Sequence, residues 1–329
     1  MRTAKTIGKA AVLALLVFTV LFTACLSTGG GRNREAVRAF ERGKALYKKS
    51  ALAEAIAEFS KAIELEPEWA EAYLGRGNAR VWGLDANYAL GQEDYDKAAE
   101  IDPKYRDFAQ AVRANNDRDY ARALEIFDRV IQDRINLMDA YSYRGNLYGA
   151  IGELEKAIAD HTEAITINPE FCGNYSNRAF TYNRLEQYDK AIADCSRVIG
   201  LSPDDFYGYL FRGEANILKG NTGQAMADLN RAIQLNPGNK GSSAFYAYWL
   251  RGVIYEQSDD FPSAIADFSQ VLQLVPEFVN AYLERGYCYA QLRDYDKAMA
   301  DINTALRFDP GNEVALYLRD EIRAAQRGR

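Results

Sequence analysis

The amino-acid sequence predicts an all-α solenoid of about eight helix–turn–helix repeats followed by a C-terminal capping helix. The first reason is a fixed period of 34 residues, marked by small residues at Gly43, Gly77, Ala111, Gly145, Ala179 and Gly213. The second is that prolines keep the same step, at Pro169, Pro203 and Pro237. A constant period of this size is typical of identical supersecondary units that stack in one direction.

Each unit is expected to contain two antiparallel helices. In the first helix of the fourth unit, Tyr141 and Tyr148 flank the small residue Gly145 at helical spacing. In the second helix, Ala157 and Ala164 share one apolar face, because residues seven apart lie about two helical turns apart. The residue before a proline disfavours the helical conformation, so the second helix is predicted to end before each periodic proline.

The repeats are not uniform. The second unit has about two extra residues between Arg80 and Tyr95. The third unit has Ala111 and Ile135 where most units have glycine and proline. After a five-residue insertion near Lys240–Ala244 the period resumes. We therefore expect the least regular boundaries in the second and third units.

The segment Glu313–Arg327 is predicted to form a single amphipathic helix. The residues expected to cover the last repeat are Val314, Leu316, Tyr317, Ile322 and Ala325. A solenoid needs a terminal cap with a polar outer face to stay in solution. The predicted organisation is therefore eight repeats over residues 36–312 and a capping helix with a tail over 313–329.

A bulky residue recurs at a fixed position in the second helix of each unit. In the eight units it is Phe59, Tyr95, Phe127, His161, Cys195, Leu229, Phe268 and Ile302. Together with the small residues and prolines in register, this pattern resembles the tetratricopeptide repeat from about Ala36 to Asn312. The resemblance implies a right-handed superhelix whose concave face is lined by the first helices and binds peptides or proteins.

An arginine and a carboxylate recur together in seven of the eight units. The arginines are Arg42, Arg76, Arg144, Arg178, Arg212, Arg251 and Arg285, and the carboxylates are Glu58, Asp94, Asp160, Asp194, Asp228, Asp267 and Asp301. Both positions lie mid-helix on antiparallel neighbours. The sequence therefore predicts a ladder of ion pairs, which the fork geometry of the guanidinium group favours. The alternative is a cationic stripe that faces a ligand.

Residues 1–24 are predicted to be a signal peptide. Three basic residues within Met1–Lys9 precede an apolar run over Ala10–Ala24. This run is shorter than the ~20 residues that a membrane-spanning helix needs, and it ends in small residues as a cleavage site requires.

The string Phe-Thr-Ala-Cys that ends at Cys25 resembles a bacterial lipobox, with Phe22 in place of the usual leucine. The resemblance implies a lipid on Cys25, a flexible tether over residues 25–35, and attachment to the membrane through the lipid alone. Leu26 rather than aspartate after Cys25 favours the outer membrane of the bacterial cell envelope, and the expected location is its periplasmic face. The alternative is a plain cleaved signal peptide with an incidental cysteine.

Composition argues against nucleic-acid binding and catalysis. The chain has 40 basic and 46 acidic residues and a net charge of −6, unlike the basic surface of a nucleic-acid-binding protein. Its one histidine, His161, occupies a core position, and no phosphate-loop, zinc or acyl-transfer motif is present. We expect no enzyme, no cofactor and no metal. Cys172, Cys195 and Cys288 are expected to be reduced core residues, with a Cys172–Cys195 disulfide as the alternative.

The resemblance places the candidate partner-binding site on the concave face. The aromatic residues expected to be best exposed there are Trp82, Tyr105, Tyr207, Tyr246 and Trp249, and the polar residues expected to bond a peptide are Asn78 and Asn146. Aromatic side chains contribute large contact areas at binding sites and lose few rotamers. The alternative is that about half of the concave aromatics pack against the neighbouring repeat.

The sequence thus predicts a non-catalytic scaffold that binds peptides or partner proteins in an aromatic groove, with its oligomeric state left open. A first alternative follows from similarity to spirochaete tetratricopeptide lipoproteins that accompany solute transporters: a protein that holds or relays a small ligand. That function requires a closed pocket instead of an open groove. A second alternative is a structural adaptor that uses the convex face.

Overall fold

The computed structural model describes residues 32–82, 86–236 and 243–327. Within this part of the chain it contains seventeen α-helices and no β-strand. The helices are α1 (Arg34–Lys48), α2 (Leu52–Leu65), α3 (Ala70–Val81), α4 (Tyr88–Ile101), α5 (Arg106–Asn116), α6 (Tyr120–Gln132), α7 (Leu137–Ala150), α8 (Leu154–Ile167), α9 (Cys172–Arg184), α10 (Tyr188–Leu201), α11 (Phe206–Leu218), α12 (Thr222–Leu235), α13 (Ala244–Gln257), α14 (Phe261–Leu274), α15 (Val279–Gln291), α16 (Tyr295–Phe308) and α17 (Glu313–Arg327). The short 3₁₀ turn Pro103–Tyr105 precedes α5.

Successive helices pair into eight repeats, numbered 1 to 8, from α1–α2 to α15–α16, and α17 packs on the last of them. The small residue of each first helix lets the second helix approach closely. A Cβ atom built on Gly252 would lie 2.7 Å from Cε1 of Phe268, and one on Gly145 would lie 2.8 Å from Cε1 of His161. The predicted all-α superhelix of stacked repeats is confirmed.

The predicted ion-pair ladder is also confirmed. In all seven repeats that carry both residues, the arginine and the carboxylate lie 2.7 to 2.8 Å apart. In repeat 5, Arg178 donates to Asp194 in its own repeat and to Thr162 in repeat 4. Its guanidinium carbon also lies 5.8 Å from the ring centres of Tyr175 and Tyr182. Because these arginines are paired and stacked, they do not form a stripe of ligand-facing cations.

The capping helix α17 covers repeat 8 with a different face from the one expected. Ala315 and Ile322 are buried and Leu318 packs beside them. Val314 and Tyr317 are 56% and 65% exposed, so the prediction that they cover the last repeat was wrong. Residues at spacings of three and seven lie on one side of a helix, and the packing of α17 against α15 and α16 selects this set.

The single histidine and the cysteines lie in the core, as expected. His161 is 1% exposed, and burial followed by the charge of Arg178 lowers its pKa to about 3, so the imidazole is neutral. Cys172, Cys195 and Cys288 are buried free thiols.

The predicted signal peptide, Cys25 and most of the tether lie outside the described residues. None of the helices described here is long and apolar enough to cross a bilayer.

The superhelix closes on itself in its N-terminal half. In an ordinary solenoid each repeat contacts only its neighbours. Here the turn between α1 and α2 of repeat 1 touches the connection between repeats 4 and 5. The backbone N–H of Cys172 donates to Oγ of Ser50 at 3.0 Å, and Nδ2 of Asn168 donates to the carbonyl oxygen of Lys48 at 3.4 Å. Repeats 1 to 5 therefore form a ring.

Candidate functional site

The ring is held together by a buried carboxylate on its concave side. Asp139, near the start of α7 and 2% exposed, accepts three hydrogen bonds. They come from the hydroxyl of Tyr47 at 2.5 Å, Nδ2 of Asn78 at 2.7 Å and Nε1 of Trp82 at 3.3 Å. These donors belong to repeats 1 and 2, and the acceptor belongs to repeat 4. A single side chain thus joins three repeats.

An aromatic contact reinforces this closure. Phe171, immediately before α9, is 1% exposed. Its ring centre lies 5.1 Å from that of Tyr47 and 5.8 Å from that of Trp82, in an edge-on arrangement with the latter. Leu52 and Met138 belong to the same cluster. Burial of apolar rings from repeats 1, 2 and 4 in one place favours the closed ring over an open superhelix.

The irregular units predicted from the sequence lie next to the contacts that close the ring. The connection between α3 and α4 carries the extra residues of repeat 2. The connection between repeats 3 and 4 lacks the usual proline and instead contains Asn136 with a left-handed φ of 45°, which asparagine tolerates better than most residues. Nδ2 of Asn78 lies 3.3 Å from Oδ1 of Asn136. The departures from the repeat pattern therefore flank the closing contacts.

Burial gives Asp139 an unusual titration. It raises the pKa of this carboxyl to about 6, against an ordinary value of 3.8, although the hydrogen bonds from Tyr47 and Trp82 act in the opposite direction. Among the described residues, no lysine or arginine pairs with Asp139. The closed ring therefore contains a buried anion at neutral pH that only neutral donors stabilise.

This shift predicts a pH-dependent stability. Between about pH 4 and pH 6 the folded state binds more protons at Asp139 than the unfolded state does, so this group stabilises the fold most at low pH and loses that contribution as pH rises. Relative to Asp139→Asn, which does not titrate, the unfolding free energy of the wild type should fall by about 2 kcal/mol from pH 4 to pH 7. Urea unfolding of both proteins across this range measures the difference. A constant difference would contradict the assignment.

Two adjoining recesses occupy the inside of the ring. Val81, Trp82, Tyr88 and Asn146 line both of them. The first recess, of about 560 Å³, is completed by Asn115, Asn116, Arg118, Tyr120, Tyr143 and Ala150. The second, of about 370 Å³, is completed by Ser50, Leu52, Phe171, Cys172, Gly173, Ser176, Asn177, Ser202, Asp204, Asp205, Phe206, Tyr207 and Phe211. We call these two recesses the central cavity. Its volume is in the range of small-molecule sites.

Three residues expected on an open concave surface are enclosed instead. Asn78 is 4% exposed because its amide is bonded to Asp139. Tyr105 is 6% exposed because the 3₁₀ turn before α5 directs it into the core formed by repeats 2 to 4. Trp82 is half-buried between Phe171 and the central cavity. The expectation that Tyr105 and Trp82 are well exposed was wrong, since packing within repeats 2 to 4 covers Tyr105 and ring closure covers much of Trp82.

The remaining predicted groove residues are distributed over two environments. Asn146 is exposed and Tyr207 is half-buried, and both line the central cavity. Trp249 packs against Phe268 and Phe278, with ring centres 5.4 and 5.2 Å apart, so it belongs to the interface of repeats 7 and 8. This is the packing that the alternative interpretation of the concave aromatics expected.

Tyr246 joins three repeats in the C-terminal half. Its hydroxyl donates to Oε1 of Glu214 at 2.6 Å, while Nδ2 of Asn183 donates to Oε2 of the same carboxylate at 3.0 Å. These residues lie on the first helices of repeats 5, 6 and 7. Here the contacts are between neighbouring repeats, so the superhelix continues without closing.

Sequence reasoning missed Asp139, Phe171, Tyr88 and Phe211 as residues of this site. No local signal identifies them, because the partners of Asp139 lie 61 and 92 residues away in the sequence. Among the described residues, no group of three or more His, Cys, Asp or Glu side chains is arranged to hold a metal ion.

Models of the tetratricopeptide repeat match four stretches of the chain. A model described as TPR repeat covers residues 43–81, and three described as tetratricopeptide repeat cover 139–171, 181–240 and 251–323. Together they cover more than half of the sequence. No curated protein matches the sequence significantly.

Solved structures share the fold at low sequence identity. The APC/C hetero-tetramer Cut9–Hcn1 has 15% identity and a TM-score of 0.72; the match covers 85% of this chain but only 54% of the other. Yeast Tom70 has 17% identity and a TM-score of 0.54, with 91% and 67% covered. A tetratricopeptide repeat protein from Parabacteroides merdae has 19% identity and a TM-score of 0.50, with 88% and 99% covered. From its repeat models and its stacked helix pairs, the chain belongs to the tetratricopeptide repeat family.

Proposed function

We propose that the protein is a non-catalytic scaffold that binds a peptide or partner protein on the concave face of repeats 5 and 6. Tetratricopeptide repeat proteins generally act as non-catalytic scaffolds, which supports this assignment. The closing contacts occupy part of the concave face of repeats 1 to 4 and leave only the central cavity inside the ring. An extended partner would therefore meet the C-terminal half, where the superhelix stays open.

The observation that carries the proposal is a row of aromatic rings across these two repeats. Phe180, on the first helix of repeat 5, is 41% exposed, whereas Leu210 on the first helix of repeat 6 is fully buried. Its ring centre lies 5.3 Å from that of Phe211, which stacks on Tyr207 at 5.7 Å. We call these three residues the aromatic row. An exposed aromatic beside preorganised rings is the usual anchor point of a protein interface.

Phe180→Ser is expected to reduce partner capture in cells at least about tenfold. Truncation of an aromatic residue at the centre of an interface typically weakens binding by about 2 kcal/mol or more. In-cell crosslinking with quantitative mass spectrometry measures the loss. The matched control is Tyr317→Ser, which removes a 65% exposed ring from the capping helix. A partner lost in the first variant and kept in the second supports the proposal. A partner kept in both would place binding on the convex face, as a structural adaptor requires.

We further propose that a lipid on Cys25 anchors the protein in the bacterial cell envelope, at the periplasmic face of the outer membrane. The string Phe-Thr-Ala-Cys and the short apolar run before it support this anchor. Metabolic labelling with a clickable palmitate analogue should mark the wild type and not Cys25→Ser. Density-gradient separation of the two membranes then assigns the location. A labelled Cys25→Ser protein would contradict the anchor.

A second candidate function is favoured by the central cavity. Ring closure converts part of the groove into a recess of about 370 Å³, which is the feature that a ligand-holding, transporter-associated protein requires. The two candidate functions share Tyr207 and Phe211, which line the second recess, and Phe180 separates them, because it lines neither recess of the central cavity.

A further inference from the structure

We infer that the second recess of the central cavity binds a small organic cation, of the quaternary ammonium or amine class, that carries a hydrogen-bond acceptor. This inference rests on the second candidate function and names its ligand class. Three features of the recess support it: its aromatic walls, the signs of its charges, and one polar atom without a partner.

Aromatic side chains from three repeats form the walls. Trp82 and Tyr88 come from repeat 2, Phe171 from the end of repeat 4, and Tyr207 and Phe211 from repeat 6. The faces of aromatic rings carry negative electrostatic potential and attract cations within about 6 Å of the ring centre. Because the rings come from separate repeats, they surround the recess instead of forming one flat surface. Such a cage suits a compact cationic head group.

The charged side chains that line the recess are both acidic. Asp204 and Asp205 line it, and no lysine or arginine is among its lining residues, although the exposed carboxylate of Asp204 pairs with Arg231 at 2.8 Å. Behind Trp82 lies the buried carboxylate of Asp139, at 3.3 Å from the indole nitrogen. Burial also raises the pKa of Asp205, which is what an anionic group shows when no cation lies close to it. A cation in the recess would relieve this unfavourable field, whereas an anionic ligand would oppose it.

A donor without a partner indicates the second half of the ligand. Nδ2 of Asn177, on α9, is buried and has no hydrogen-bond partner among the described residues. Asn177 lines this recess. A buried amide N–H without an acceptor is unfavourable, so a ligand oxygen that accepts its hydrogen bond would remove that penalty. A cation with a hydroxyl or carbonyl oxygen satisfies both the cage and Asn177.

Binding of choline to the full chain in a non-ionic detergent tests the inference. Choline is the probe because it combines a quaternary ammonium group with a hydroxyl. Its neutral carbon isostere, in which a tert-butyl group replaces the trimethylammonium group, is the matched ligand. Isothermal titration calorimetry should give a dissociation constant for choline at least about tenfold lower than for the isostere.

Two variants and a control locate the site. Tyr207→Leu removes one aromatic wall, and Asp204→Asn removes a charge at the recess; each should weaken choline binding at least about threefold. Asp189→Asn removes a carboxylate that is 87% exposed, outside the lining of the cavity, and should change nothing. Circular dichroism melting of each variant establishes that it is folded.

The outcomes separate this inference from the function on which it rests. Equal binding of choline and the isostere would overturn the cation assignment and leave a ligand-holding cavity intact. No heat from either ligand at millimolar concentration would overturn the inference, and native mass spectrometry of the protein from cells then decides the second candidate function: a retained small molecule keeps it, and its absence removes it. Choline binding unchanged in both variants would also overturn the assignment to this recess.

Discussion

Asp139→Ala is expected to lower the free energy of unfolding by about 3–5 kcal/mol and to open the ring. The substitution removes the acceptor of three hydrogen bonds and leaves the donors of Tyr47, Asn78 and Trp82 buried. Each buried donor without an acceptor costs about 1–3 kcal/mol, and part of this loss is recovered if repeat 1 separates and water reaches the donors. The same change therefore predicts lower stability and a local structural effect.

Hydrogen exchange read by mass spectrometry distinguishes this effect from general destabilisation. Amides of α1 and α2 should lose protection in Asp139→Ala, while those of α14 to α16 should keep it. Asp139→Asn is the matched control, because its amide oxygen can still accept a hydrogen bond and its size is unchanged. Unaltered protection of α1 and α2 in the alanine variant would show that Asp139 does not hold the ring.

Phe171→Ala is expected to produce the second large effect, a loss of about 3–5 kcal/mol together with an increase in the radius of gyration. The side chain is 1% exposed and contacts rings from repeats 1 and 2, so its removal leaves a cavity at the point of closure. Large-to-small changes of phenylalanine in cores cost amounts of this size. Small-angle scattering at a urea concentration well below the transition measures the change in dimensions.

Phe278→Ala provides the matched control. Phe278 occupies the same position relative to its repeat as Phe171 and packs against Phe245 and Trp249, with ring centres 5.4 and 5.2 Å away. Its contacts join only repeats 7 and 8. It should therefore lower stability without changing the scattering from the ring. If both variants expand the molecule equally, Phe171 has no special role in closure.

These predictions depend on contacts that the sequence did not indicate, whereas the repeat and its ion pairs could be predicted in full. The Arg178–Asp194 pair follows from periodicity alone. Both residues belong to one unit, only 16 positions apart, and the geometry of two antiparallel helices brings them together. The packing of His161 under Gly145 follows for the same reason. Local rules suffice when the interacting residues lie within one repeat.

The candidate site shows where such rules end. Family resemblance predicted Asn146 and Tyr207 on the concave side, and both line the central cavity. It did not predict that Asn78 and Trp82 help to close the ring, because their acceptor, Asp139, lies two repeats further along the chain. Small changes in the angle between successive repeats accumulate along a solenoid. Whether repeats 1 and 5 meet depends on the sum of those angles, which no single unit contains.

The sequence by itself determined the all-α repeat, the number of units, the ion pair within seven of the eight units and the core positions of its histidine and cysteines. Only the tertiary structure decided that the first five repeats form a ring, that the groove there becomes a cavity, and that Phe180 in repeat 5 remains exposed. The physical reason is the range of the interactions. Helix pairing is fixed by contacts within about 34 residues, whereas closure depends on a buried carboxylate and an aromatic cluster that join residues 57 to more than 100 positions apart.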